Sequence, residues 1–492
     1  LQRSFIVRYF VSFTLLVIAT GCNVPPSDAT TTTASAKVPI TTISSDARAL
    51  YLKGRDLFEQ LKPHDAYATW QQAVAKDPSF AMAEYGLATS SPTAKDFNDH
   101  LSKAVALMPK VSDGERLMIL SLLAIRNGDP TEGQVYADSL VSRYPRDERA
   151  QNTLGNSYFA QGLNGKAIEV FKKAVALNAN FTPAYNTLGY AYRGVGDKPA
   201  AESSFKRYIA LVPKDPNPHD SYGELLMSMG RFDESIAEYT KALALDPTFV
   251  SSHVGIAADH LYEGEHDAAV AETQKIYAGA RDILQQRIAL FNEALVHIDA
   301  HEIDQAIQRA DSEFVLDRAN GDSGNMSIDE QTTGDILLAA GRAPDATRKY
   351  AHALALVVNS STASADVKDR TRLNSHYNRA RVALATNDRA MARTEAATYL
   401  SGTEASHNDL LIAQAHELNG LVALADRQFD TALAELAKAS QQNPAVFYDM
   451  ALAYKGKGDA ANAKTFAARC ADMDVLPSVP YMLVRAKAKQ MT

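Results

Sequence analysis

Along most of the chain, small and apolar positions recur in a unit longer than one helix. "NTLGNSYFAQGLNGKAIEVFKKAVALN" at 152–178 returns as "NTLGYAYRGVGDKPAAESSFKRYIALVP" at 186–213, and again as "DSYGELLMSMGRFDESIAEYTKALALDP" at 220–247. Gly155, Gly189 and Gly223 mark the same point in each copy, 34 residues apart. Each copy reads as a helix, a short Gly/Asp turn and a second helix, so the pattern predicts stacked helical hairpins. Equivalent anchors fall at Gly54, Gly86, Ser121, Gly155, Gly189, Gly223, Ala257, Ala294, Gly334, Ala380, Gly420 and Ala451. Twelve residues beyond each stands Gly, Ala or Ser, except for Asn98 after Gly86.

These residues resemble the tetratricopeptide repeat, a 34-residue hairpin with small residues at positions 8, 20 and 27, an aromatic at 24 and Pro near 32. In the copy anchored on Gly155 the later positions hold Ala167, Phe171 and Ala174; in the first copy Gly54 is followed by Ala66, Trp70, Ala73 and Pro78. The physical sense is plain: small residues let two helices approach, and the aromatic fills the space between one hairpin and the next. The resemblance implies an all-α, right-handed superhelical solenoid of about twelve hairpins.

Anchor spacing loosens after Ala257, and two polar, turn-rich inserts stand out at 317–327 and 359–369. The expected organisation is an N-terminal array over 46–316, a linker insert over 317–327, a degenerate C-terminal array over 328–476, and an amphipathic terminal helix over 477–492 acting as a cap with a polar outer face.

The N-terminus breaks the pattern. Arg3 and Arg8 precede an apolar run from Tyr9 to Ile18, then Ala19, Thr20 and Gly21 stand before Cys22, the layout of a secretory signal peptide over 1–21. "ATGC" resembles the lipobox of bacterial lipoproteins, with Ala19 where that family usually has Leu. The resemblance implies that Cys22 is acylated and becomes the mature N-terminus. The Ser/Thr/Pro-rich stretch over 22–45 buries too little apolar area to offset its ordering entropy and is expected to be a flexible tether. Localisation at the cell envelope follows as an expectation: lipid-anchored, on the periplasmic side of the outer membrane, with the lipid as the sole membrane contact.

Composition removes other classes. Fifty basic and 58 acidic side chains give a net charge of −8 over 492 residues, with no Lys/Arg run to serve as a phosphate stripe, so nucleic acid is not an expected partner. Two cysteines make neither a disulfide framework nor a zinc finger. No phosphate loop, HExxH or GxSxG occurs, and nothing nominates a catalytic residue, a cofactor or a metal. His297 and His301 stand four apart, but near a hairpin turn where polar residues are solvated. Gly321 and Gly324 fail as the glycine of a calcium loop, since Leu316 or Ala319 would occupy the first ligand position.

In the tetratricopeptide family the first helix of each hairpin lines a concave groove, and repeat positions 2, 5, 9 and 12 point into it. Carried onto this chain, the groove presents Arg149, Asn152, Asn156 and Phe159, then Asn186, Tyr190 and Arg193, then Asp220, Glu224 and Met227. Asn152 and Asn186 form a ladder able to pair with an extended peptide backbone, and Arg149 and Arg193 are candidates to hold a carboxylate. The family's full carboxylate clamp is not reproduced, because position 5 holds Asn152 and Asn186 and position 2 holds Arg149 and Pro183. The function expected is a scaffold or adaptor for protein or peptide partners; the alternative is a small-ligand or sensory module of an envelope enzyme or transport system.

Overall fold

The computed structural model describes residues 37–492 apart from 61, 92, 93, 128, 362, 406, 407 and 474. Cys22 and the segment 1–21 therefore lie outside the described residues. Those described form an all-α helix-pair solenoid without strands. They divide into two compact units, to Leu225 and from Leu226.

The first unit contains α1 (Ser45–Glu59), α2 (Pro63–Lys76), α3 (Ala81–Thr89), α4 (Ala94–Leu107), α5 (Asp113–Arg126), α6 (Pro130–Arg143), α7 (Glu148–Ala160), α8 (Asn164–Leu177), α9 (Thr182–Gly194) and α10 (Lys198–Leu211). The boundary falls within α11 (Pro216–Met227). The second unit continues through α12 (Phe232–Leu245), α13 (Val250–Glu263), α14 (His266–Gly279), α15 (Ile283–Asp299), α16 (Ile303–Asn320), α17 (Ser323–Ala339), α18 (Ala343–Val358), α19 (Ala365–Ala385), α20 (Arg389–Ala405), α21 (Asp409–Ala425), α22 (Phe429–Leu436), α23 (Pro444–Gly456) and α24 (Ala460–Ala471), and ends in α25 (Val479–Lys489). Helices α1 to α24 follow one another as twelve helix–turn–helix units.

Local chemistry sets the breaks. Ser112 and Glu115 form a reciprocal capping box at the start of α5, while Asp129, Asp147 and Asp197 cap α6, α7 and α10 with their carboxylates. Several hairpin turns need one left-handed residue, supplied by Gly162, Gly196 and Gly264; His301, Asn387 and Arg427 take the same conformation in later copies. The small residues twelve past the anchors are all buried: Ala66, Gly133, Ala167, Ala201, Ser235, Ala269, Ala306, Ala346, Ala392, Ala432 and Ala463. Trp70 lies between Gly54 and Gly86, where a Cβ on either glycine would come within 2.6 Å of the indole. Its Nε1 donates to the Tyr51 carbonyl at 3.1 Å.

Three expectations on organisation are corrected. First, residues 37–44 of the expected tether are fastened to the first unit. Val38 N donates to Asp147 Oδ2 at 2.7 Å, Thr41 N to Glu115 Oε1 at 2.7 Å, and Thr42 Oγ1 to Asp77 Oδ2 at 2.5 Å, with Lys37 paired to Glu148. Buried carboxylates at three successive junctions between hairpins thus hold the segment, together with the apolar contacts of Val38 and Ile40. Second, 317–327 is no linker between arrays. It is the tight turn at Gly321 (φ 70°) between α16 and α17, which pack on each other. Its polarity has an internal target: Arg287 lies 2.9 Å from Asp317 and 2.7 Å from Asp329, with all three side chains buried. Third, α25 packs on α15, α17 and α23 as well as on α24, so it does not merely cover the end of the last hairpin.

Candidate functional site

First helices crowd one side of the array. In the first unit α1 touches α3 and α7 touches α9; in the second, α13 touches α15, α19 touches α21 and α21 touches α23. The closer spacing of first helices makes theirs the inner, concave face, and the candidate residues belong to the first helices α7, α9 and α11.

Two of the groove's cations are already engaged. The Arg149 guanidinium forks onto Glu59, Nε to Oε1 at 2.8 Å and Nη2 to Oε2 at 3.2 Å, while Nη1 donates to Glu148 Oε1 at 2.9 Å. It also lies 5.5 Å from the Phe181 ring centroid. Arg193 Nη1 donates to Glu224 Oε1 at 2.8 Å, and the Tyr190 hydroxyl donates to Glu224 Oε2 at 3.0 Å. Each of the two arginines expected to hold a carboxylate is paired with one of this chain's own.

Glu59 is the partner that the repeat pattern missed. It lies ninety residues before Arg149, and nothing in a single repeat marks it. Electrostatics follow the pairing. Burial pushes the Glu224 carboxyl up, while the Arg193 guanidinium and the Tyr190 hydroxyl act in the opposite direction and favour its charged form. Burial raises the Tyr190 phenol, and its ring meets Phe205 edge-on at 5.2 Å. Asp220 is buried on the same helix as Glu224.

The asparagines differ from these paired groups. Asn152 and Asn186 occupy the same position in successive hairpins, and the Oδ1 atom of each is buried with no hydrogen-bond partner among the described residues. Asn156, one turn on from Asn152, is exposed. A buried carboxamide oxygen without a donor costs about 1–3 kcal/mol, and each of these half-buried side chains must turn before its oxygen can meet an N–H from outside the chain.

The histidine candidates separate. His297 is on α15 with Nδ1 2.7 Å from Glu302 Oε2, while His301 sits in the turn with φ 61°, off the helix. Among the described residues, no helix is long and apolar enough to cross a membrane.

Comparison with known proteins agrees with the hairpin geometry. Family profiles described as "TPR repeat" and "Tetratricopeptide repeat" match residues 155–196, 220–249 and 51–91. No curated protein matches the chain. Similar solved structures include MamA, at 27% identity over 32% of this chain and 94% of that one with a TM-score of 0.29. A tetratricopeptide repeat protein from Parabacteroides merdae aligns at 15% identity over 54% of this chain and 98% of that one, TM-score 0.38. A thermophilic TPR protein of Thermus thermophilus aligns at 23% identity over 44% and 99%, TM-score 0.29. All-helical repeat architecture of this type is typical of non-catalytic scaffolds and adaptors, and a concave inner face suits a protein or peptide ligand. With profile matches at three places and paired helices continuing between and beyond them, the chain is a tetratricopeptide-repeat protein.

Proposed function

We propose that this protein is a lipid-anchored scaffold of the bacterial cell envelope, acylated at Cys22, that holds an extended peptide segment of a partner on the inner face of its first unit. The observation that supports the peptide-binding part is the pair of half-buried asparagines, Asn152 and Asn186, repeated at the hairpin period, whose Oδ1 atoms gain a partner if the side chains turn toward a ligand backbone. An extended backbone offers N–H groups at regular intervals, and a ladder of carboxamides reads them without regard to side chains. Tyr190, Arg193, Asp220 and Glu224 form the wall beside that ladder, with Arg149 and the exposed Asn156 at its start. The anchor rests on the layout of residues 3–22, and puts the protein at the periplasmic side of the outer membrane.

A photo-reactive amino acid at position 152 or 186 is expected to cross-link a protein partner in intact cells, and one at Lys173 on a second helix is not. Equal cross-linking at all three positions rejects the groove. Cys22→Ala is expected to abolish incorporation of a radioactive fatty acid; undiminished incorporation rejects the anchor while leaving the groove standing.

A further inference from the structure

Helix α25 has no hairpin mate. It packs on α24, and beyond that helix on three first helices, α15 and α17 of the eighth and ninth hairpins and α23 of the twelfth. It therefore lies on the inner face of the second unit. One side of it is buried, through Val479, Tyr481, Met482, Arg485 and Ala488, while Pro480, Lys487 and Lys489 on the other side are exposed.

Its apolar side joins the core of the unit, and its polar attachments reach far back along the chain. Arg485 Nη2 donates to the Tyr262 carbonyl at 3.1 Å and Nη1 approaches Asp299 Oδ1 at 3.4 Å, contacts that span 223 and 186 residues. The guanidinium also stands 4.5 Å from the Tyr262 ring centroid, and Tyr481 lies 6.3 Å from that ring. The Tyr262 carbonyl belongs to the last turn of α13, where a helix leaves carbonyls without intrahelical donors and presents the negative end of its dipole. Ring, carbonyl and Asp299 carboxylate together make a receptor for a cation carried on a helix. The Tyr262 hydroxyl donates to the Val475 carbonyl and fastens the connecting segment, which is not helical.

We propose that the inner face of hairpins seven to nine is a helix-binding site that the chain fills with its own residues 479–489. The partner it fits is an amphipathic helix bearing an aromatic–apolar pair, as at Tyr481 and Met482, with arginine four residues after the aromatic. While α25 is seated the face is closed, and such a helix gains entry only by displacing it. This is a second surface, separate from the asparagine ladder, and it takes a helix in place of an extended strand.

The test uses the full chain with a protease recognition sequence inserted between Pro477 and Ser478. After cleavage, a fluorescent peptide of residues 478–492 is expected to exchange into the cut protein and to be competed out by the unlabelled peptide. A peptide carrying Arg485→Glu and Tyr481→Ala is expected to compete at least about tenfold less well, and the uncut chain is expected to take up none. Circular dichroism follows the helices throughout. Three outcomes overturn the proposal. The cut helix stays and admits no labelled peptide while the fold remains intact, the second unit loses its helices once the segment leaves, or cut and uncut chains take up the peptide equally.

Discussion

Gly155 faces Phe171 so closely that a Cβ on residue 155 would fall 2.6 Å from the ring. Gly189 with Phe205 and Gly334 with Tyr350 repeat the relationship. A side chain here must push the ring out of a fully buried position, and the gain in helix propensity does not offset that. Gly155→Ala is expected to destabilise the protein by about 1–3 kcal/mol in urea unfolding. Gly165 on α8 has nothing within 4 Å of its would-be Cβ. Gly165→Ala should stabilise by about 0.4–1 kcal/mol, which separates crowding from the general effect of alanine in a helix.

Arg287 has more carboxyl groups around it than it can neutralise, with Asp317, Asp329 and Glu313 all buried beside it. Burial pushes the Asp329 carboxyl up to about 8; Asp317 adds to the effect and Arg287 opposes it. An acid whose folded pKa lies above its unfolded value binds its proton more tightly in the folded state. The resulting stability is present at low pH and is lost as pH rises from about 4 to about 8. Asp329→Asn cannot ionise. Relative to wild type, its unfolding free energy is expected to improve across that window, by a difference on the order of a few kcal/mol, read from urea titrations at successive pH values.

The fold was legible because its rule is local. Gly54, Gly155, Gly189 and Gly334 were readable as anchors since each faces an aromatic sixteen positions later in the same hairpin. What escaped was long-range or hidden by composition. The polar run from Asp317 looked like a linker, because a carboxylate aimed at a buried arginine and one aimed at water are the same letter. Residues 37–43 looked like tether for the same reason: their attachment lies in the buried acids Asp77, Glu115 and Asp147, far along the chain. Helix α25 was readable as amphipathic, but the surface that its apolar side meets belongs to α15 and α17. In the groove, Asn152 and Asn186 followed from repeat position, while Glu59 did not.

His–Glu pairs nineteen residues apart clasp three hairpins of the second unit. His253 meets Glu272 at 2.8 Å, His376 meets Glu395 at 2.6 Å and His416 meets Glu435 at 2.7 Å. Burial works against ionisation of each glutamate, but hydrogen bonds from the histidine and a neighbouring Lys275, Arg379 or Lys438 hold all three below the ordinary value. A depressed folded pKa gives stability that is present above the unfolded value, about 4.3, and is lost as pH falls through the folded one. His416→Ala is expected to cost about 1 kcal/mol near pH 6. The difference from wild type should shrink below about pH 4 in thermal melts.

The contact between Glu59 and Arg149 offers a direct test of whether the first unit's groove is built around its own salt bridges. The pair is bidentate and only partly solvated, at 20% and 26% side-chain exposure, so its coupling should exceed that of a surface pair. A double-mutant cycle of Glu59→Gln and Arg149→Gln is expected to return about 1–2 kcal/mol of interaction energy in urea unfolding. Glu59→Gln alone leaves the Arg149 guanidinium with Glu148 and the Phe181 ring, and frees the fork that faced Glu59. That variant is expected to bind a peptide ending in a free carboxylate more tightly than the same peptide with an amidated end, a preference wild type lacks. Fluorescence anisotropy with the two peptides measures it, and an equal preference in both proteins would mean that Arg149 remains directed at Glu148 and does not reach the groove.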